Sequence, residues 1–583
     1  MLELLVRFAQ EHGLVAEPGF APKDIRWAIV INDAGKFVNV IELGDTESKN
    51  NRGRRFERCP ELSQPEMAGS VRRSHFLAET ANVVALYGQG AEDPKIREKH
   101  TYFIKLLRDA SSVMPELDKA AQVLSDNTSL DEIRKRLQEQ KAKHTDKITF
   151  RISETFPLES EAWHDWWRNH RKTITKKGDE MSAMLCLATG EHTMPAMTHP
   201  KIKGLAGVGG NMQGDVLVGF DKDAFMSYGL QQSANAAVSE NAASAYRSAL
   251  NYLLESSSQS IAGTKIVHWF KERVERIEDP LIWLEEGRGE EELDAQERAK
   301  ELLESIRTGR RPDLQDNHYY AITLSGASGR VMVRDWMEGR FENLVENVNR
   351  WFDDLSIVER DGNVIAKSPK FYTVLGGMVR SLDDLPPPLA VKMWRVAVNG
   401  EPIPRSALAN SLVRMRMDII QDRLFNHARM GLIKAYHIRQ YRQRGGDVMA
   451  EVIKPTLNES YLNPAYQSGR LMAILARLQR SALGDVGAGI VQRYYAAASV
   501  TPSIVLGRLT RISQFHLNKL DPGLAHWYEE RIAEIWDGLK NGIPRTLSLE
   551  EQSLFALGYY QQIADMRKNK QEIFEYEKEA SDE

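Results

Sequence analysis

The sequence predicts an α+β chain: a mixed α/β N-terminal and middle region, followed by a C-terminal antiparallel helical bundle. Two observations carry this. Short apolar or alternating runs, among them Ile25–Ile31, Lys36–Leu43, Lys147–Ile152, Ile266–Phe270 and Arg330–Trp336, read as strands interspersed with helical patterns. From about residue 339 the helical periodicity is almost unbroken, and over 449–583 it is divided only by short Gly/Pro/Asn loops.

The elements follow in order. Residues 1–12 read as a short amphipathic helix. Ile25–Ile31, the turn Asn32-Asp-Ala-Gly35 and Lys36–Leu43 make a β-hairpin. A basic loop, Ser48–Arg55, follows, then a second loop, Ala68–Ser74, leading into a helix at about 75–87 with Ser74 as its N-cap. Further helices read at about 95–110 and 114–142, and Lys147–Ile152 alternates like a strand. Glu161–Arg171 is helical, and spacings of three and four put Trp163 on one face with Trp166 and Trp167, a core pattern.

The Gly-rich loop Lys201–Gly214 leads to an apolar strand, Val216–Phe220, and a helix near 240–254. Its glycines, Gly204, Gly207, Gly209, Gly210 and Gly214, let backbone approach either an anionic ligand or another backbone. Glu290–Thr308 reads as a charged, exposed helix, and His318–Ser325 with Arg330–Trp336 as a hairpin. Val331 and Val333 then face the core, and Arg330 and Arg334 point outward. Leu385-Pro-Pro-Pro-Leu389 reads as a linker. Helices follow at about 404–437, 463–481, 487–499, 502–519, 523–540 and 548–568. Four regions result: 1–150, 151–345, 346–448 and 449–583.

A chain of 583 residues with 42% hydrophobic and 27% charged residues suits a globular protein of several domains. No apolar run spans a bilayer and the N-terminus is no secretory signal, so a cytoplasmic protein is expected. Two cysteines build neither a disulfide framework nor a Cys-based zinc site. The net charge of −4 conceals an asymmetry: Arg405 to Lys519 holds 17 Lys+Arg against 6 Asp+Glu, a surplus of 11 cations. That is the footprint of a polyanion-binding surface. Arg470, Arg477 and Arg480 fall on one helical stripe, and Arg508, Arg511 and Lys519 on another. Leu471/Ile474/Leu475/Leu478 and Ile504/Leu509/Ile512/Leu517 supply the core.

Catalytic motifs are missing. No Walker loop, dinucleotide fingerprint, His-Glu-x-x-His or Gly-x-Ser-x-Gly elbow occurs, and His192 and His199 have no carboxylate pattern beside them. A non-enzymatic protein without cofactor or metal is expected.

Several segments resemble, in order, a known family. They are Leu187-Ala-Thr-Gly190, His199-Pro-Lys-Ile-Lys-Gly204, Phe225-Met-Ser-Tyr-Gly-Leu-Gln-Gln232 and Asn235-Ala-Ala-Val-Ser239. Arg330–Trp336, Asn463–Leu471 and Leu547–Tyr560 continue the series. Together they resemble the large subunit of the type I-C CRISPR interference complex, Cascade. The resemblance implies a non-catalytic subunit that reads the protospacer-adjacent motif (PAM) in duplex DNA, helps open it, stabilises the R-loop and recruits a helicase–nuclease. Implied partners are CRISPR RNA, the target duplex and displaced strand, the Cascade backbone subunits, the 5′-handle-binding subunit and the small subunits.

The resemblance assigns the duplex-reading role to Lys49, Asn50, Asn51, Arg52, Arg54 and Arg55 in the first loop, and to Ser70, Arg72, Arg73, Ser74 and His75 in the second. The family's Gly-x-Lys-Pro-Asn-Phe-Leu-like stretch reads here Val71-Arg-Arg-Ser-His-Phe-Leu77, with Arg73 at the Lys place and His75 at the Asn place. Backbone contacts are expected from Lys201, Lys203, Arg330, Arg334, Arg470, Arg477, Arg480, Arg508, Arg511 and Lys519. The 449–583 bundle resembles a Cascade small subunit, and Gly445-Gly446-Asp-Val-Met449 could encode a ribosome-binding sequence before an internal start at Met449. The alternatives are a metal-dependent nuclease acting on structured nucleic acid and a helical adaptor that binds only protein.

Overall fold

A computed structural model describes the backbone of all residues except 16, 46–50, 68–70, 89–91, 176–182, 221, 226–227, 231, 285–294, 422–425, 485–488, 541 and 583. Side chains at 64–65, 175, 295–296, 420, 448–449 and 569–582 also lie outside the description. The chain is mixed α and β and divides into two compact units: Met1–Ser258 with Leu324–Val333, and Gln259–Thr323 with Arg334–Glu583. Among the described residues no helix is long and apolar enough to cross a membrane.

The first unit opens with α1 (Leu2–Glu11), then β1 (Phe20–Ile25), β2 (Trp27–Ile31), β3 (Phe37–Glu42) and β4 (Arg54–Pro60). After α2 (Gln64–Met67), β5 (Glu79–Thr80) and α3 (Ala81–Val84) come α4 (Pro94–Ala110), α5 (Glu116–Ser125), α6 (Asn127–Glu139), β6 (Lys147–Ile152) and α7 (His164–Thr175). The sheet order is β3-β2-β6-β5, with Ile29 opposite both Val40 and Phe150, and β1 pairs antiparallel with β4. The expected β-hairpin is therefore present. The expected helix at 75–87 is not: only Ala81–Val84 is α-helical, and Ser74 lies buried ahead of it rather than capping it. The expected 114–142 helix breaks at Asp126, whose carboxylate accepts from Ser129 N and caps α6.

Trp163 and Trp167 are fully buried and pack on Phe76, as their spacing suggested. Each buries its indole N–H against a carbonyl: Trp163 Nε1 to Pro157 O at 2.9 Å, Trp167 Nε1 to Gly19 O at 2.8 Å. The strands β7 (Met184–Leu185), β8 (His192–Thr193), β9 (Lys201–Ile202) and β10 (Asp215–Val216) are two residues each, so the expected Val216–Phe220 strand is much shorter. Helix α8 (Glu240–Ser256) is capped by Ser239, whose side chain accepts from Ala242 N.

The second unit holds β11 (Gln259–Ile261), β12 (Thr264–Phe270), α9 (Pro280–Trp283), α10 (Ala295–Arg307) and α11 (Pro312–Gln315). Hairpin β13 (His318–Ala327) and β14 (Arg330–Arg340) belongs to this unit except for its tip, Leu324–Val333. Helix α10 is amphipathic rather than exposed all round: Ala299, Leu302, Leu303 and Ile306 are buried. Val331 is buried as expected, whereas Val333 is exposed.

Then come α12 (Phe341–Leu355), α13 (Phe371–Met378), α14 (Pro387–Val398), α15 (Arg405–Ile420) and α16 (His427–Ala450). The Leu385–Leu389 segment is a helix start, not a linker, because its prolines occupy the cap and first turn of α14, where no donor is lost. Helix α16 breaks direction at Gly445–Gly446, where Gly446 takes φ 72°. The C-terminal helices are α17 (Pro464–Leu483), α18 (Ile490–Ala498), α19 (Pro502–Leu517), α20 (Pro522–Gly538) and α21 (Leu549–Asp582). Helices α17, α19 and α20 all begin with Pro at the first turn, two of them behind an Asn463 or Asp521 cap. Helix α17 lies directly on α21, because Gly469 and Gly558 leave each backbone room for the other's carbonyls at Phe555 and Tyr466.

Candidate nucleic-acid interface

The structure sorts the expected contact residues by what already holds them. In the first basic loop, Lys49 and Asn50 lie outside the described residues. Asn51 is a loop brace: its Nδ2 donates to Glu42 Oε1 (3.1 Å) and Leu43 O (3.0 Å), and its Oδ1 accepts from Gly53 N (2.8 Å). Arg54 and Arg55 stand on β4 rather than in a loop. Arg54 pairs with Glu159 and lies over Phe56 and Phe156, 4.8 and 5.0 Å from the ring centroids. Arg55 pairs with Glu57 at 3.0 Å at the surface. Arg52 is exposed.

In the second loop, Ser70 lies outside the described residues. Arg73 donates to Glu66 O at 2.8 Å, and Ser74 is fully buried. His75 is a half-buried brace. Its Nδ1 accepts from Leu62 N (3.1 Å) and its backbone N–H donates to Glu79 Oε2 (3.0 Å). Burial, then the Lys23 charge, pushes its pKa down to about 4, so the imidazole is neutral. Arg72 remains exposed. Arg52 and Arg72 are thus the described residues of the two loops with no internal task, and sequence alone did not separate them from their neighbours.

The Gly-rich loop is occupied by protein. The tip of the β13–β14 hairpin lies on it, and a Cβ on Gly326 would collide with Gly210. Asp215, fully buried, accepts from Asn211 N (3.0 Å to Oδ2) and closes the loop. Of the two guests that the glycines admit, another backbone is the one found. His199 is buried, its Nδ1 2.6 Å from Tyr246 Oη, and burial pushes its pKa down to about 4. Lys201 and Lys203 are exposed on and beside β9. Arg330 is exposed, with its guanidinium 5.5 Å from the Phe225 ring centroid, and Arg334 is exposed.

In the C-terminal helices the two expected stripes differ. Arg470 faces inward: it is 4% exposed, and donates to Gln562 (2.8 Å), Gln467 (3.2 Å) and Glu459 (3.4 Å). Burial lowers its pKa against the usual arginine range. It is a core residue, because the close α17–α21 contact at Gly469 encloses the neighbouring position. Arg477 is half-buried and Arg480 exposed. They join two arginines that sequence reading did not assign, Arg360 and Arg567. Arg567 Nη1 donates to Arg360 O at 3.3 Å, and the Arg360 Nε is buried without a partner among the described residues. Burial, then the charges of Arg360, Arg477 and Arg480, lowers the Arg567 pKa. Four guanidiniums therefore share one neighbourhood across a turn and two helices.

The second stripe stays outward. Arg508, Arg511 and Lys519 are exposed and have no ion pair among the described residues. The signal for this face was in the sequence: between Asp485 and Asp521 there is no acidic residue at all. Ile504, expected in the core, is instead 73% exposed, and Val505 and Leu506 take its place inside.

The family comparison supplies what geometry does not. The sequence profile of the CRISPR-associated protein Csd1 family matches residues 3–567. The chain belongs to this family. No curated protein matches it in sequence. As a Csd1-family protein it is a CRISPR-associated Cascade component of the large-subunit kind, working among other CRISPR-associated subunits. In this Csd1-family chain the described residues include no group of three or more His, Cys, Asp or Glu placed to hold a metal ion.

Proposed function

We propose that the chain is the non-catalytic large subunit of a type I-C Cascade. It recognises the PAM in the target duplex, promotes opening, stabilises the R-loop and recruits the helicase–nuclease. CRISPR RNA, the backbone subunits, the 5′-handle-binding subunit and the small subunits are its partners. Family membership supports the complex. The observation that carries the nucleic-acid role is the acid-free α18–α19 region, whose exposed Arg493, Arg508, Arg511 and Lys519 have no carboxylate partner among the described residues. Such a face gains free energy by releasing counterions from a phosphate backbone, without reading sequence.

PAM reading is assigned to Arg52 and Arg72. Both are exposed and neither has a protein partner among the described residues. Arginine suits either bidentate major-groove contacts or a narrow minor groove.

The C-terminal helices take the role of a small subunit, and an internal start at Met449 would release them as a separate chain of α17–α21. In the full chain they are covered by α15 and α16, through His437 and Ser553 (2.6 Å) and Arg405 and Glu550 (2.6 Å). A separate copy would offer that covered face to a neighbour.

The deciding experiment is binding of the assembled complex to duplex targets carrying a randomised PAM, with and without Mg²⁺. Enrichment of a short motif, with the DNA left uncut until the helicase–nuclease is added, is the expected result. Cleavage by the complex alone would establish a nuclease instead.

A further inference from the structure

Helix α19 carries two large apolar residues where a merely solvated cationic face needs none. Ile504 is 73% and Phe515 70% exposed. With Arg508 and Arg511 they recur at spacings of four, three and four, which places all four on one side of the helix. The opposite side is packed: Val505, Leu506, Leu509, Ser513, His516 and Leu517 are buried. From Ile504 to Phe515 the face runs about 16 Å along the axis, the length of a few nucleotides of extended strand. Lys519 continues the positive charge just beyond the helix end.

Cations alone would serve any polyanion. Among nucleic acids, an exposed phenyl ring beside them favours an unpaired base, since a duplex keeps its base faces stacked inside. We propose that this face of α19 binds single-stranded polynucleotide, with Phe515 stacking on a base while Arg508, Arg511 and Lys519 hold the flanking phosphates. The inference rests on the reading of the chain as a nucleic-acid-binding subunit and names the form of nucleic acid at this site. Stacking on an aromatic platform is sequence-tolerant, because every base presents a π-face. Ile504 lies one turn before Arg508 and supplies a second apolar surface for a base or sugar.

The test uses the full chain and two fluorescent probes, a short oligothymidine and a hairpin duplex with the same number of phosphates, read by anisotropy. Phe515→Ala is expected to weaken oligothymidine binding about 5- to 150-fold, the range that one stacked base gives. Duplex binding should stay within about twofold, and Phe515→Trp should restore the single-strand affinity. Arg508→Ala with Arg511→Ala is expected to weaken both probes and flatten the salt dependence by about 1.4 in log–log slope for the single strand. Phe515 is a surface residue, so an unchanged melting temperature accompanies these results. If the arginine pair matters and Phe515→Ala does not, or weakens both probes alike, stacking is overturned while the nucleic-acid reading of the chain stands. If neither variant changes binding, that reading fails for this face as well. If Phe515→Ala leaves oligothymidine binding intact but loses a Cascade subunit on purification, α19 is a protein-docking face and the proposal is wrong.

Discussion

Arg470 Nε donates to Gln562 Oε1 across 2.8 Å, inside the contact between α17 and α21. An arginine that by spacing shares a stripe with Arg477 and Arg480 is thus part of the core. Arg470→Ala would leave Gln562 and Gln467 with unpaired buried groups and open a cavity. The expected loss is about 2–4 kcal/mol of stability, read as a lower urea midpoint. The salt dependence of DNA binding by the remaining folded protein should not change. A flattened salt slope with full stability would mean that Arg470 touches phosphate after all.

Gly326→Ala would force a methyl group into the backbone at Gly209–Gly210. Overpacking of this kind costs about 1–3 kcal/mol. The variant should melt earlier, and nucleic-acid affinity per folded molecule should be preserved, because the Gly-rich loop is filled by the hairpin tip. A variant of normal stability that binds DNA poorly would reopen the loop as a ligand site.

Arg360, Arg477 and Arg480 each repel the positive charge of Arg567. An anion that bridges them should stabilise the fold. Adding sulfate or short polyphosphate is expected to raise the melting temperature, and Arg567→Gln should reduce that rise. Equal gains in wild type and Arg567→Gln would show that the ions act by exclusion from the surface rather than by binding here.

Acid should weaken both units. His199 and His437 are held neutral by burial, their pKa pushed down to about 4 from 6.5. Once unfolded, each takes up a proton below about pH 6.5, so between pH 6.5 and 4 the unfolded chain binds more protons and stability falls as pH falls. Each group costs up to about 1.4 kcal/mol per pH unit in that window. The urea midpoint should drop between about pH 7 and pH 5. His437→Gln can still bond Ser553 without titrating, and should drop less.

In the two N-terminal loops, Arg52→Ala and Arg72→Ala should each abolish or shift the PAM enriched from a randomised library while leaving general DNA affinity within about threefold. His75→Ala should instead lower stability, because it strips the ring acceptor from Leu62 N, while the backbone bond to Glu79 remains. Unchanged enrichment in both arginine variants would move PAM reading outside Arg52 and Arg72.

By itself the sequence determined the α+β class, the β-hairpin at Trp27–Glu42, the tryptophan core of α7 and the family. These depend on local periodicity, on turn chemistry, or on a collinear series of motifs spread along the whole chain. It also held the acid-free run around α19, since the absence of Asp and Glu needs no coordinates. The tertiary structure decided which cations are free. Asn51, Arg54, Arg73, His75 and Arg470 are chemically suited to DNA, and each is committed to a protein partner that the residue pattern alone does not reveal. Arg360 and Arg567 come together only because the turn after α12 packs on α21. The guest of the Gly-rich loop was likewise settled by long-range packing: a glycine admits a phosphate and a neighbouring backbone equally well, and only the folded chain brings Gly326 to Gly210.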